Sequence, residues 1–141
     1  MSVLVQMQTV PERTRVAEAV KAMLKSDHGV VGVTHEERLV GLFTLRDLAE
    51  RVVLAKRDPD ETSIGELMTR EPHTLSADAS VDAAFGELVT RGLAYLPVVD
   101  EMGRPQGMYE FRSLLLHRLQ DVAGQSDSII RYFATDSIGG D

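Results

Sequence analysis

Val40-Gly41-Leu42-Phe43-Thr44-Leu45-Arg46-Asp47-Leu48 reads as the end of a strand running straight into a helix. Residues 39–43 are an apolar run broken by one glycine, the pattern of a buried strand. From Leu45 the period changes: Leu45, Leu48, Ala49, Val52 and Val53 fall at i, i+3, i+4, i+7 and i+8, one face of a helix. Thr44 stands where the strand stops, and Asp47 follows three residues later. Two readings are open. Thr-x-x-Asp ahead of an apolar run is a capping-box start, with Thr44 as N-cap. The same hydroxyl and carboxylate also sit on a first helical turn, whose N–H groups and positive dipole end favour an anion.

The chain repeats this unit. A first helix carries Val16, Ala19, Val20, Met23 and Leu24 on one face. Shifted by 65, Val81, Ala84, Phe85, Leu88 and Val89 have the same pattern, and Thr9-Val10 meets Thr74-Leu75. The strand Gly29-Val30-Val31-Gly32-Val33-Thr34 meets Tyr95-Leu96-Pro97-Val98-Val99-Asp100 at a shift of 66, which places a one-residue deletion within residues 26–29. At 66 also, Gly41-Leu42-Phe43 meets Gly107-Met108-Tyr109, and the closing helix returns as Phe111, Leu114, Leu115, Arg118 and Leu119. Each copy reads strand, helix, strand, strand, helix. The expected division is a first repeat with linker at 1–62, a second repeat at 63–123 and a partly disordered tail at 124–141. Residues 56–62 are polar, contain a proline and read as the linker, while 63–68 suit a helical turn. In the tail, Ile129-Ile130-Arg131-Tyr132-Phe133 is an apolar island that suits packing on its own domain or contact with a second subunit.

One unit of about sixty residues is marginal alone, because its core offsets little chain entropy. Two units packed through their sheets bury both apolar faces. The expected fold is therefore α/β (α+β), two β-α-β-β-α repeats related by a pseudo-twofold axis. Over 141 residues the net charge is −7, which disfavours a nucleic-acid surface. There is no cysteine, so thiolate catalysis, disulfides and cysteine-ligated zinc are excluded. No run approaches the length of a membrane span, and residues 1–8 lack the pattern of a signal peptide, so a cytoplasmic location is expected. His28, His35, His73 and His117 share no metal-ligand spacing, and no nucleophile elbow is present. No catalytic residue, metal or catalytic cofactor is expected.

Three marks in order, Gly41-Leu42-Phe43-Thr44-Leu45-Arg46-Asp47, Leu67-Met68-Thr69 with Pro72-His73-Thr74-Leu75, and Leu96-Pro97-Val98-Val99-Asp100, give a resemblance. Over about residues 5–123 the chain resembles a tandem pair of CBS domains, a Bateman module. The resemblance implies a regulatory module that binds an adenine nucleotide (AMP, ADP or ATP) or S-adenosylmethionine between the repeats, and a homodimer; its output is expected to act on a protein in trans or through the tail. It implies that Asp47 grips ribose hydroxyls and Thr44 lies near phosphate, chemistry that suits a carboxylate and a hydroxyl. Arg46 suits a further phosphate contact or a solvated surface. Opposite these, the resemblance implies Pro72, His73 and Thr74, then Ala94, Tyr95 and Pro97, with Leu42 in the floor. The base would lie against Tyr95 and Pro97.

The second copy departs from the pattern: Glu110 replaces the Thr and Ser113 the Asp. A glutamate repels phosphate, and a serine cannot hold a diol bidentately. One competent site per chain is expected, with AMP or ADP preferred over a triphosphate on charge. The alternative is a structural or dimerising module whose site is vestigial.

Overall fold

The computed structural model describes residues 3–123; the apolar island at 129–133 and the rest of the tail lie outside them. The first repeat runs β1 (Thr9–Pro11), α1 (Val16–Met23), β2 (Val30–His35), β3 (Arg38–Thr44) and α2 (Leu45–Asp47), which continues as a π-helical stretch, Leu48–Val53. A short helix α3 (Ile64–Leu67) and strand β4 (Thr69–Arg70) lead onward. The second repeat is β5 (Leu75–Ser76), α4 (Val81–Arg91), β6 (Tyr95–Val99), β7 (Pro105–Glu110) and α5 (Phe111–Ala123). The fold is the mixed α/β pair expected; α3 is the helical turn expected at 63–68, and β4 is an extra strand.

Both sheets repeat one pairing scheme. β1 lies parallel to β2 and β2 antiparallel to β3, just as β5 is parallel to β6 and β6 antiparallel to β7. The segments leading into each repeat cross over. β4, which leads into the second repeat, joins the first sheet antiparallel to β3, while Val5, ahead of the first repeat, bridges antiparallel to Met108 of β7. Each repeat thus lends a strand edge to the other.

Two glycines make these crossings fit. A Cβ on Gly41 would stand 3.0 Å from the Thr69 carbonyl oxygen and collide with the Met68 side chain. A Cβ on Gly107, which has φ +146°, would stand 2.9 Å from the Val5 oxygen. Both glycines are required because the other repeat's lead-in passes directly over them.

The strand register relocates the one-residue deletion. Val33 pairs with Gly41 and Val98 with Gly107, so Val33 is the counterpart of Val98, a shift of 65. The shift becomes 66 only past the hairpin turn, because Thr34 pairs with Leu39 but Val99 with Pro105. The deletion therefore lies in the turn at 35–38, not in 26–29. It follows that Gly32, not Val31, occupies the place of Pro97, and Val30 that of Tyr95. The short turn is built on Glu36 and Glu37, both left-handed at φ 50° and 67°.

The cores follow the sheets. Val16, Ala19, Met23, Val31, Phe43 and Val52 gather under the first sheet, and Ile64, Leu67 and Met68 complete that cluster. Ala84, Leu88, Leu96, Tyr109 and Leu114 form the second, joined by Val3 and Leu4. A third cluster, Met7, Val30 and Met108 with Val5, Leu39, Leu42 and Tyr95, takes residues from both repeats and seals the junction. Burying such side chains contributes about 1.5–3 kcal/mol each.

One further expectation is corrected. The α2 stripe is only partly buried: Val52 is buried and Leu48 half-buried, but Leu45 and Val53 face solvent. The Leu54 and Arg57 amides reach back five residues, to Ala49 and Val52, and this wider turn rotates the later positions off the α-helical face. The linker, in turn, is a docked segment. The Pro59 and Thr62 carbonyls accept from the Ala17 and Val16 amides, at 3.0 and 2.9 Å, and so cap an α1 N-terminus without a side-chain cap.

Candidate functional site

At the β3–α2 junction the capping box is formed. The Asp47 amide donates to Thr44 Oγ1 at 3.2 Å, and Asp47 Oδ2 accepts from the Thr44 amide at 2.9 Å and its hydroxyl at 3.2 Å. Asp47 is one of two buried polar residues among those described, at 9% exposure. The Leu45 amide donates to the Gly29 carbonyl at 3.1 Å. Two of the first three helical N–H groups are thus already satisfied, so the capping reading is the geometry present. The carboxylate nevertheless keeps acceptor capacity on one side. Among the described residues no hydrogen bond reaches Asp47 Oδ1, whose neighbour is Arg51 Nε at 3.6 Å.

The residues expected around Asp47 divide into groups. Leu42 and Tyr95 meet in the junction cluster. Ala94 and Tyr95 line a cavity of about 370 Å³ with Leu45, Gly29, His28 and Glu110, so the second repeat does face the start of α2. Pro97 is buried within β6, paired to Met108. Pro72 is half-buried and Thr74 exposed, on the segment between β4 and β5. His73 lines a different space, an open groove of about 720 Å³ against Ala83, Gly86 and Glu87 of α4. Arg46 points to solvent, where its Nε donates to Glu50 Oε1 at 2.6 Å.

In the second copy the departing side chains pair with one another and with the first repeat, on the wall of the same cavity. Glu110 Oε2 pairs with His28 Nδ1 at 2.9 Å, and Glu110 Oε1 accepts from Ser113 Oγ at 2.6 Å. The Tyr95 hydroxyl donates to the His28 carbonyl across the repeats. Burial, and then the negative charge of Glu110, push the Tyr95 hydroxyl above its ordinary pKa. Sequence reasoning marked Glu110 and Ser113 as departures but missed His28, which stands 82 residues from its partner. It also missed Arg51, whose only sequence signal is its i+4 spacing from Asp47.

Among the described residues no group of three or more potential metal ligands occurs, and no helix is long and apolar enough to cross a membrane.

Comparison with known proteins matches the CBS domain family twice, at residues 4–54 and 64–119. An uncharacterized protein of Methanopyrus kandleri is 30% identical over 105 residues, covering 74% of this chain and 54% of that protein. The meiotically up-regulated gene 70 protein of Schizosaccharomyces pombe is 35% identical over 99 residues, covering 70% of this chain and 14% of its own length. The chain thus spans about half, or far less, of these curated relatives. Among solved structures, a CBS-domain protein of Burkholderia ambifaria superposes with a TM-score of 0.70 at 26% identity, covering 86% of each chain. The CBS-pair protein CBSX2 of Arabidopsis thaliana gives 0.70 at 21% identity, over 86% of this chain and 94% of that one. A complex of CBSX2 with AMP gives 0.69 at 21% identity, over 84% and 93%. At that identity the likeness is one of fold.

Proposed function

We propose that this chain, which belongs to the CBS-domain family as a tandem pair, binds an adenine nucleotide at Asp47 and signals to a protein partner. CBS pairs are regulatory modules as a class rather than enzymes, and none of the residues singled out suits a catalytic role. The observation that carries the reading is the divided carboxylate of Asp47: Oδ2 is committed to the cap, while Oδ1 keeps lone pairs to spare, with Arg51 Nε 3.6 Å away. A ribose diol can donate to Oδ1. A phosphate that accepts the Thr44 hydroxyl proton would withdraw it from Oδ2 and free that oxygen for the second ribose hydroxyl. Ribose and phosphate therefore reinforce each other at this pair. The AMP complex of CBSX2 supports adenosine as the ligand class, and the acidic balance of the chain favours AMP or ADP over ATP.

On this reading Leu42, Pro72, Thr74, Ala94, Tyr95 and Pro97 wall the site, Arg46 reaches it only by turning from Glu50, and His73 only by leaving the groove along α4. The repeats divide at 1–62 and 63–123, with 124–141 as a tail, and the module acts as a cytoplasmic homodimer on a partner in trans, in energy sensing. The test is a thermal-shift screen with AMP, ADP, ATP, NAD and S-adenosylmethionine on wild type and Asp47→Ala. Wild type should gain about 2.7 kcal/mol at a hundredfold excess over Kd, and the variant should gain nothing. An equal shift in the variant removes Asp47 from the site.

A second reading rests on the completed capping box: Thr44 and Asp47 serve the fold alone, and the pair is a dimerising scaffold. It expects a stable dimer by sedimentation and no shift with any of the five compounds.

A further inference from the structure

Arg51 touches two places at once. Its Nε lies 3.6 Å from Asp47 Oδ1, the oxygen with acceptor capacity to spare. Its Nη1 donates to the carbonyls of Leu67 at 2.7 Å and Met68 at 3.2 Å. Those carbonyls end α3, immediately before the two residues of β4 that cross Gly41 and lead into the second repeat. Arg51 sits within the π-helical stretch, a distortion often found where a helix has a function beyond packing. The second repeat supplies an internal control. At a shift of 66, Asp47 becomes Ser113 and Arg51 becomes His117, so the carboxylate and the guanidinium are lost together. There, α5 is regular.

We propose that Arg51 is a positioning residue that couples occupancy of Asp47 to the β4 crossing. This rests on the nucleotide reading above. Ribose hydroxyls donating to Oδ1 compete with the guanidinium for that oxygen. The guanidinium then commits to the Leu67 and Met68 carbonyls and fastens the segment ahead of β4. A fork with several N–H donors can serve both partners and shift between them, whereas a lysine ammonium is one compact point charge that does not reproduce the fork.

The experiment is hydrogen exchange on the full chain, with and without saturating AMP, in wild type, Arg51→Met and Arg51→Lys. Wild type should show AMP-dependent slowing of exchange at Thr69 and Arg70. Both variants should still give an AMP thermal shift, with affinity changed by less than about tenfold, yet show no AMP-dependent change at those two amides. A purely structural Arg51 would raise exchange there equally in free and bound protein and leave the ligand-dependent difference intact, which overturns the proposal. So does a wild-type response in Arg51→Lys, which needs no fork. If Arg51→Met fails to fold, Arg51→Lys decides by the same criterion. Absence of an AMP shift in wild type overturns the nucleotide reading and this coupling together; a shift with retained slowing in the variants overturns the coupling alone.

Discussion

At the scale of single residues, the counterparts Gly41 and Gly107 carry the same burden for opposite repeats. Gly41→Ala and Gly107→Ala should each destabilise by about 1–3 kcal/mol, since backbone passes within about 3 Å of the added methyl. Urea denaturation midpoints check this. The Thr44 cap serves the ligand-free protein as well, so Thr44→Ala should lower stability by about 1 kcal/mol without any nucleotide present. In the second hairpin turn, Asp100 accepts from the Arg104 and Met102 amides and the Arg104 side chain. These bonds, the Arg104 amide foremost, hold its carboxyl below the usual value. A depressed carboxyl favours the fold at pH values above its unfolded pKa. That share is lost as pH falls through the folded value. NMR titration should place the Asp100 midpoint below 3.8, the ordinary value, and Asp100→Asn should flatten the acid limb of the stability curve.

At the scale of elements, strands and helices were legible because each apolar period is clean, and the Thr44-x-x-Asp47 junction announces both strand end and helix start. The strand register was not. Residues 30–33 are buried throughout, so their pattern lacks the alternation that would fix which face is which. Sliding Val30-Val31-Gly32-Val33 by one residue costs nothing in apolar matching, and the deletion was misplaced accordingly. The true site of the deletion, the turn at Glu36-Glu37, makes its own prediction. Both residues are left-handed, a conformation that favours Asn and Gly. Replacing the pair by Asn-Gly should stabilise by about 1 kcal/mol. Thermal melts of the double variant check it; an unchanged or lower midpoint overturns the account.

At the scale of the whole molecule, the pseudo-twofold pair was legible because the same unit occurs twice. The exchange of lead-in strands was not, because two-residue β4 and the single bridge at Val5 leave no periodic trace. Nor was the His28–Glu110 pair that joins the repeats, whose members lie 82 residues apart. Removing residues 1–6 should loosen the second repeat more than the first, because Leu4 and Val5 cover Gly107 and Met108. Hydrogen exchange should rise along β7 and stay near its original rate along β3. The crossed lead-ins also decide how the two halves can move. A jaw that opened at the cleft would have to strip Thr69 from Leu42, Arg70 from Gly41 and Val5 from Met108 in one stroke. The pair is in mechanical terms a stiff plate, stitched from both sides. Opening the pair breaks those pairings together, which leaves small shear along intact strands as the less costly motion.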